Sequence, residues 1–81
     1  MQFELITTCN RPVAAIIPNG ATGQQFRAIY RLLPDNCYSN ATLAERWGVH
    51  AVLCNTSYAK EQFERVPCSR PKDTIKLTLH S

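Results

Sequence analysis

The longest uninterrupted apolar run in this sequence is Val13-Ala14-Ala15-Ile16-Ile17. Five residues fall far short of the roughly 20 that a membrane-spanning helix needs, so the chain has to fold from short pieces. The run is rich in β-branched residues and closes at Pro18-Asn19-Gly20, which marks it as a short buried strand. With 81 residues in all, a chain of this kind is one domain and buries only about 60% of the surface its unfolded form exposes. Large multi-domain enzymes are excluded. The first ten residues carry Glu4, no Lys or Arg and no extended apolar block, so they do not read as a secretory signal, and the expected compartment is the cytoplasm, with no membrane contact.

Around that run the pattern divides into recognisable elements. Gln2 to Thr8 sets Phe3 and Leu5 against Glu4 and is expected to be a first strand, antiparallel to the Val13–Ile17 strand across a turn at Cys9-Asn10-Arg11-Pro12. Thr22-x-x-Gln25 is a capping-box pattern, and Phe26, Ile29, Tyr30 and Leu33 recur at helical spacing before Pro34 stops the helix. Asp35 to Asn40 reads as a polar, turn-rich connection. A short helix is expected over residues 41–47, capped by Asn40 or by a Thr42/Glu45 pair and ended by Gly48. Residues 49–54 form a compact apolar block that reads as a strand, with a helix continuing through Phe63 as the alternative. Ser57 to Val66 has a helical stripe of Ala59, Phe63 and Val66, with Glu61 and Arg65 as a favourable i, i+4 pair. Asp73 to His80 alternates, with Ile75, Leu77 and Leu79 inward and Lys76, Thr78 and His80 outward. The expected fold is therefore α+β over residues 1–81, in the order β-β-α-(α)-β-α-β: a four-stranded sheet with helices packed on one face. The alternative is a helix-turn-helix core with a β-ribbon.

Candidate chemistry is sparse. Cys9, Cys37, Cys54 and Cys68 contain no close pair, so they do not form a zinc signature, and no metal or cofactor is implied. A disulfide set with three possible connectivities suits an oxidising compartment, and the sequons at Asn40 and Asn55 fit the same alternative of a small secreted, disulfide-stabilised domain. The leading expectation is four reduced thiols. His50 and Cys54 lie about 13 Å apart along a strand, too far for a nucleophile and its base. Asp35, Glu45, Glu61, Glu64 and Asp73 are scattered without an acid/base pair. Gly20-Ala21-Thr22-Gly23 precedes a helix and lacks the Lys-Ser/Thr of a phosphate-binding loop, so it reads as a turn with a threonine cap. No catalytic residue is named, and the chain is expected to be non-enzymatic.

Charge points to the C-terminal part. The net charge is +3, of which residues 51–81 carry +2, and Arg65, Arg70, Lys72 and Lys76 form a loose basic cluster suited to an anionic partner. Thr42-Leu43-Ala44-Glu45-Arg46-Trp47-Gly48-Val49-His50 resembles the first helix and turn of the helix-turn-helix in bacterial and phage transcription regulators, over residues 42–58. That resemblance implies a recognition helix starting near His50, with Arg46, His50, Asn55, Thr56 and Lys60 available to DNA. Ala51, Val52 and Leu53 are apolar where base reading calls for polar side chains. The size and the abbreviated motif are similar to the small accessory regulators of temperate phages and mobile elements. The leading expectation is accordingly a corepressor or antirepressor that contacts a DNA-bound repressor, with direct DNA reading as the alternative. Its contact surfaces would be exposed strand edges and the basic cluster.

Overall fold

The computed structural model describes residues 1–33, 36–55 and 70–80. They form an α+β fold with five strands and two helices. The strands are β1 (Gln2–Thr8), β2 (Arg11–Ile17), β3 (Cys37–Ser39), β4 (Ala51–Asn55) and β5 (Ile75–Thr78); the helices are α1 (Gly23–Tyr30) and α2 (Ala41–Trp47). All pairings are antiparallel, in the spatial order β3-β4-β2-β1-β5. No helix among the described residues is long and apolar enough to cross a membrane.

β1 and β2 form a hairpin whose two turn residues, Cys9 and Asn10, both take positive φ, 52° and 65°. A two-residue turn of that hand matches the natural twist of the strands, and asparagine tolerates it. The strand extends back to Arg11, so Pro12 lies inside β2 and not in the turn as the sequence suggests. It fits because the β1/β2 register shifts between Ile6 and Thr7, and because β4 pairs only with Ala14 to Ile17. Proline is tolerated at such a bulge, where no ladder donor is needed.

α1 begins at the expected capping box. The Gln25 amide donates to Thr22 Oγ1 at 3.1 Å, and the Thr22 amide donates to Gln25 Oε1 at 2.9 Å. Ile29 and Leu33 are buried and Phe26 is half-buried, but Tyr30 turns outward, 45% exposed. α2 has the expected bounds: Asn40 Oδ1 accepts from the Leu43 amide at 3.0 Å, and Gly48 closes the helix at φ +66°. Glycine enters that left-handed conformation without a side-chain penalty.

Three expectations need correcting. The sheet has five strands and not four, because Cys37–Ser39, inside the supposed polar connection, pairs with Leu53–Asn55. The helices do not share a face. Phe3, Leu5, Ala15, Ile17, Ala51 and Leu53 pack with Ile29 and Leu33 on the α1 side, while Ile6, Ala14, Ile16, Val52 and Cys54 pack with Leu43 and Ala44 on the α2 side. Among the described residues the helix-turn-helix is also not formed: the turn after α2 leads into strand β4, held between β2 and β3, with Ala51 to Cys54 all buried. Side chains that alternate to two covered faces must all be apolar, and this is why the segment is too greasy for a groove-reading helix. Leu77 in β5 and Leu79 just beyond it pack against the α1-side core as expected, but Ile75 is 48% exposed. The expected helix over residues 57–66 lies outside the described residues.

Candidate binding surface

The two faces differ beyond their helices. On the α2 side, the even-numbered residues where β1 pairs with β5 are polar, Gln2 and Glu4 facing Thr78 and Lys76 across the ladder, while Ile6 further along β1 joins the apolar half. Glu4 anchors this half of the face. Arg70 Nη2 donates to Glu4 Oε1 at 2.6 Å, and Thr74 Oγ1 donates to Glu4 Oε2 at 3.3 Å. The arginine is nearly half exposed and the pair is screened by water, so it positions Arg70 more than it stabilises the fold.

Beside this pair is a cavity of about 320 Å³ whose lining includes the apolar Ile16, Pro18 and Val49 and the polar Glu4, Asn19, Arg70 and Lys76. Asn19 is fixed there by donating from Nδ2 to the Gly48 carbonyl at 2.6 Å, which ties the end of β2 to the cap of α2. Its described lining carries two cations and one carboxylate, a net formal charge of +1, beside apolar side chains. Such a site suits an acidic group attached to an apolar body, because the apolar side chains bury hydrocarbon while the cations receive the carboxylate.

A second cavity, about 400 Å³, lies between the first turn of α1 and the end of β5, lined by Thr22, Gln24, Gln25, Ala28, Leu79 and His80. None of these described lining residues is a Lys, Arg, Asp or Glu. The Thr22 hydroxyl and the Gln25 side chain at its rim already serve the capping box, in keeping with the reading of Gly20–Gly23 as a capped turn.

Of the basic cluster expected from sequence, Arg70 and Lys76 come together at the first cavity. Lys72 is exposed in the bend beyond Pro71 and does not line it, and Arg65 lies outside the described residues. Of the residues expected for DNA reading, the described ones, Arg46, His50 and Asn55, sit on different parts of the fold. Arg46 is exposed on the last turn of α2. His50 precedes β4, its amide donating to the Ile17 carbonyl at 3.0 Å and its ring set edge-on to Phe26 of α1 at 6.2 Å. Asn55 ends β4, about 16 Å further along the strand at the usual rise. Thr56 and Lys60 lie outside the described residues. Cys9 is exposed at the hairpin turn, Cys37 is half-buried and Cys54 is fully buried. Among the described residues no three His, Cys, Asp or Glu side chains gather as a metal site.

Glu4, Asn19 and Thr74 are the members of the site that sequence reasoning missed. The alternation of Gln2 and Glu4 with Phe3 and Leu5 signals a polar half-face on β1. Nothing local links Glu4 to Arg70, which is 66 positions away. No protein-family model matches the chain, and comparison with curated proteins and with solved structures finds no match either.

Proposed function

We propose that this protein is a small non-enzymatic binding module that works by protein contact, receiving an acidic segment of its partner at the cavity between Arg70, Lys76 and Glu4. The observation that carries this reading is that Arg70 and Lys76 line one cavity together with apolar Pro18 and Val49, beside the polar part of the α2-side face. A partner carboxylate would contact Arg70 and Lys76 while a neighbouring apolar side chain covers the half-buried Val49. Burial of Ala51 to Cys54 inside the sheet favours protein contact over direct base reading. The finer reading, a corepressor or antirepressor acting on a DNA-bound transcription repressor, rests on the sequence resemblance of Thr42–His50 alone, since the capped helix and Gly turn formed there lead into a strand.

The test is affinity capture from the native host with the wild-type chain and with the Arg70→Ala/Lys76→Ala double variant. The expected result is recovery of a transcription factor by the wild type and its loss with the variant. Equal recovery by both proteins rejects the cavity as the contact, and a catch without any transcription factor rejects the regulator reading. A sequence-dependent mobility shift by the protein alone, weakening steeply with salt, would replace protein contact with direct DNA reading.

A further inference from the structure

β5 ends the sheet, and among the described residues it has no strand on its outer side. Its hydrogen-bonding phase is fixed from within. Leu79 donates to the Met1 carbonyl at 2.7 Å and the Met1 amino group donates back to the Leu79 carbonyl at 3.3 Å, so Met1 and Leu79 are a hydrogen-bonded pair. With the register Phe3 to Leu77 and Leu5 to Ile75, the alternation of an antiparallel ladder turns the odd-numbered backbone groups toward β1. Lys76 and Thr78 therefore present their N–H and C=O groups outward.

This edge is complementary to itself. Placing a second β5 antiparallel about a two-fold axis at Leu77 pairs Lys76 with Thr78 of the other copy through their outward backbone groups, and sets Leu77 beside its own equivalent. Ile75 then meets the other copy's Leu79 on the α1 side of the sheet, where Ile75 is otherwise 48% exposed. An axis at Lys76 would set two ammonium groups directly opposite each other, which is destabilising, whereas the Leu77 axis puts each lysine across from a threonine. Edge strands commonly carry a lysine to discourage pairing, and here that device permits one register and penalises the next.

We propose that the protein forms a homodimer through antiparallel β5–β5 pairing centred on Leu77, giving a continuous ten-stranded sheet. The axis runs perpendicular to the sheet, so the Arg70/Lys76 cavities of both copies open on the same face on either side of it. The inference is independent of the regulator reading, since it depends only on the edge.

Sedimentation equilibrium of the full chain, from low micromolar to millimolar concentration, tests it. The expected mass rises from 9.1 kDa toward twice that value, and the Lys76 and Thr78 amides gain exchange protection with concentration while that of Leu77 does not. Thr78→Pro removes an outward donor without touching the β1 ladder, and is expected to leave a folded monomer. Thr78→Glu, placed across from Lys76 of the other copy, is expected to tighten the dimer roughly fivefold, and Thr78→Lys to loosen it roughly fivefold. A chain that stays at monomer mass throughout overturns the proposal, as does a dimer indifferent to Thr78→Pro. The Glu and Lys variants retain the backbone donor and decide the register even if the proline variant does not fold; shifts of the same sign, or none, overturn the Leu77 axis.

Discussion

The two faces of this sheet are built to different plans. On the α1 side the apolar surface continues from Leu53 through Ala15 and Ile17 to Phe3, with Leu77 and Leu79 packed against its margin. On the α2 side it covers the β4–β2 half, extends to Ile6 on β1, and gives way at Gln2, Glu4 and Lys76 to charge and a cavity. A face that is apolar throughout serves packing alone. A face that is half core and half polar holds charged side chains rigidly at the border of a hydrophobic base, which is what a binding site needs and what an 81-residue chain can provide without a deep interior.

If the α2 side is a true second core, the largest consequence is chemical. Cys54 is fully buried there, while Cys9 is exposed at the hairpin turn. Cys54 should react with a thiol reagent at least about a thousandfold more slowly than Cys9, because it becomes accessible only in the small unfolded fraction. Site-resolved labelling by mass spectrometry checks this, and comparable rates would show that α2 does not seal its face. Next in size are two substitutions at adjacent residues. Ile17→Ala, under α1, and Ile16→Ala, under α2, should each cost about 3 kcal/mol in urea unfolding, a large share of the about 4 to 12 kcal/mol available to a chain of this length. A cost below about 1 kcal/mol at Ile16 alone would mean that its side relaxes into the cavity and is not packed as a core.

The division between faces was partly legible in the sequence. Val13 to Ile17 and Ala51 to Cys54 are continuous apolar runs, whereas Asp73 to His80 alternates. Continuous runs belong to strands covered on both sides, so two central strands of this kind call for helices on opposite faces of the sheet. α2 was legible to the residue because Asn40 and Gly48 act locally through a side-chain cap and a permitted positive φ. β3 was not, because three residues have no period of their own and are strand only through the ladder offered by Leu53 to Asn55. At the site, the basic cluster was visible as composition, but its partner Glu4 was not, since a contact over 66 positions leaves no local trace.

Smaller effects compare the two helices through their ends. Thr22→Ala on α1 and Asn40→Ala on α2 each remove an acceptor for a first-turn amide and should each cost about 1 kcal/mol. Gly48→Ala should cost about 1 kcal/mol for the left-handed backbone alone, because a Cβ there meets no atom within 4 Å. Thermal unfolding of the three variants reads these costs. A loss at Gly48 well above that of Asn40 would indicate that the turn also supports the Asn19 contact, and with it the cavity wall.

The smallest stability effect is expected where the effect on binding is most informative. Glu4→Gln removes the carboxylate that holds Arg70, an ion pair whose arginine is 45% exposed, so unfolding should change by less than about 1 kcal/mol and by less still at high salt. The same change raises the formal charge of the cavity's described lining from +1 to +2 and releases the Arg70 guanidinium toward an incoming anion. Retention on an oligo-glutamate matrix should therefore increase, by roughly twofold to fivefold at low ionic strength, whereas Arg70→Ala should reduce it. A structural role for the pair would weaken both variants together. Opposite signs at Glu4 and Arg70, with stability nearly unchanged, would identify the charged half of this face as a ligand site and not a brace for the sheet.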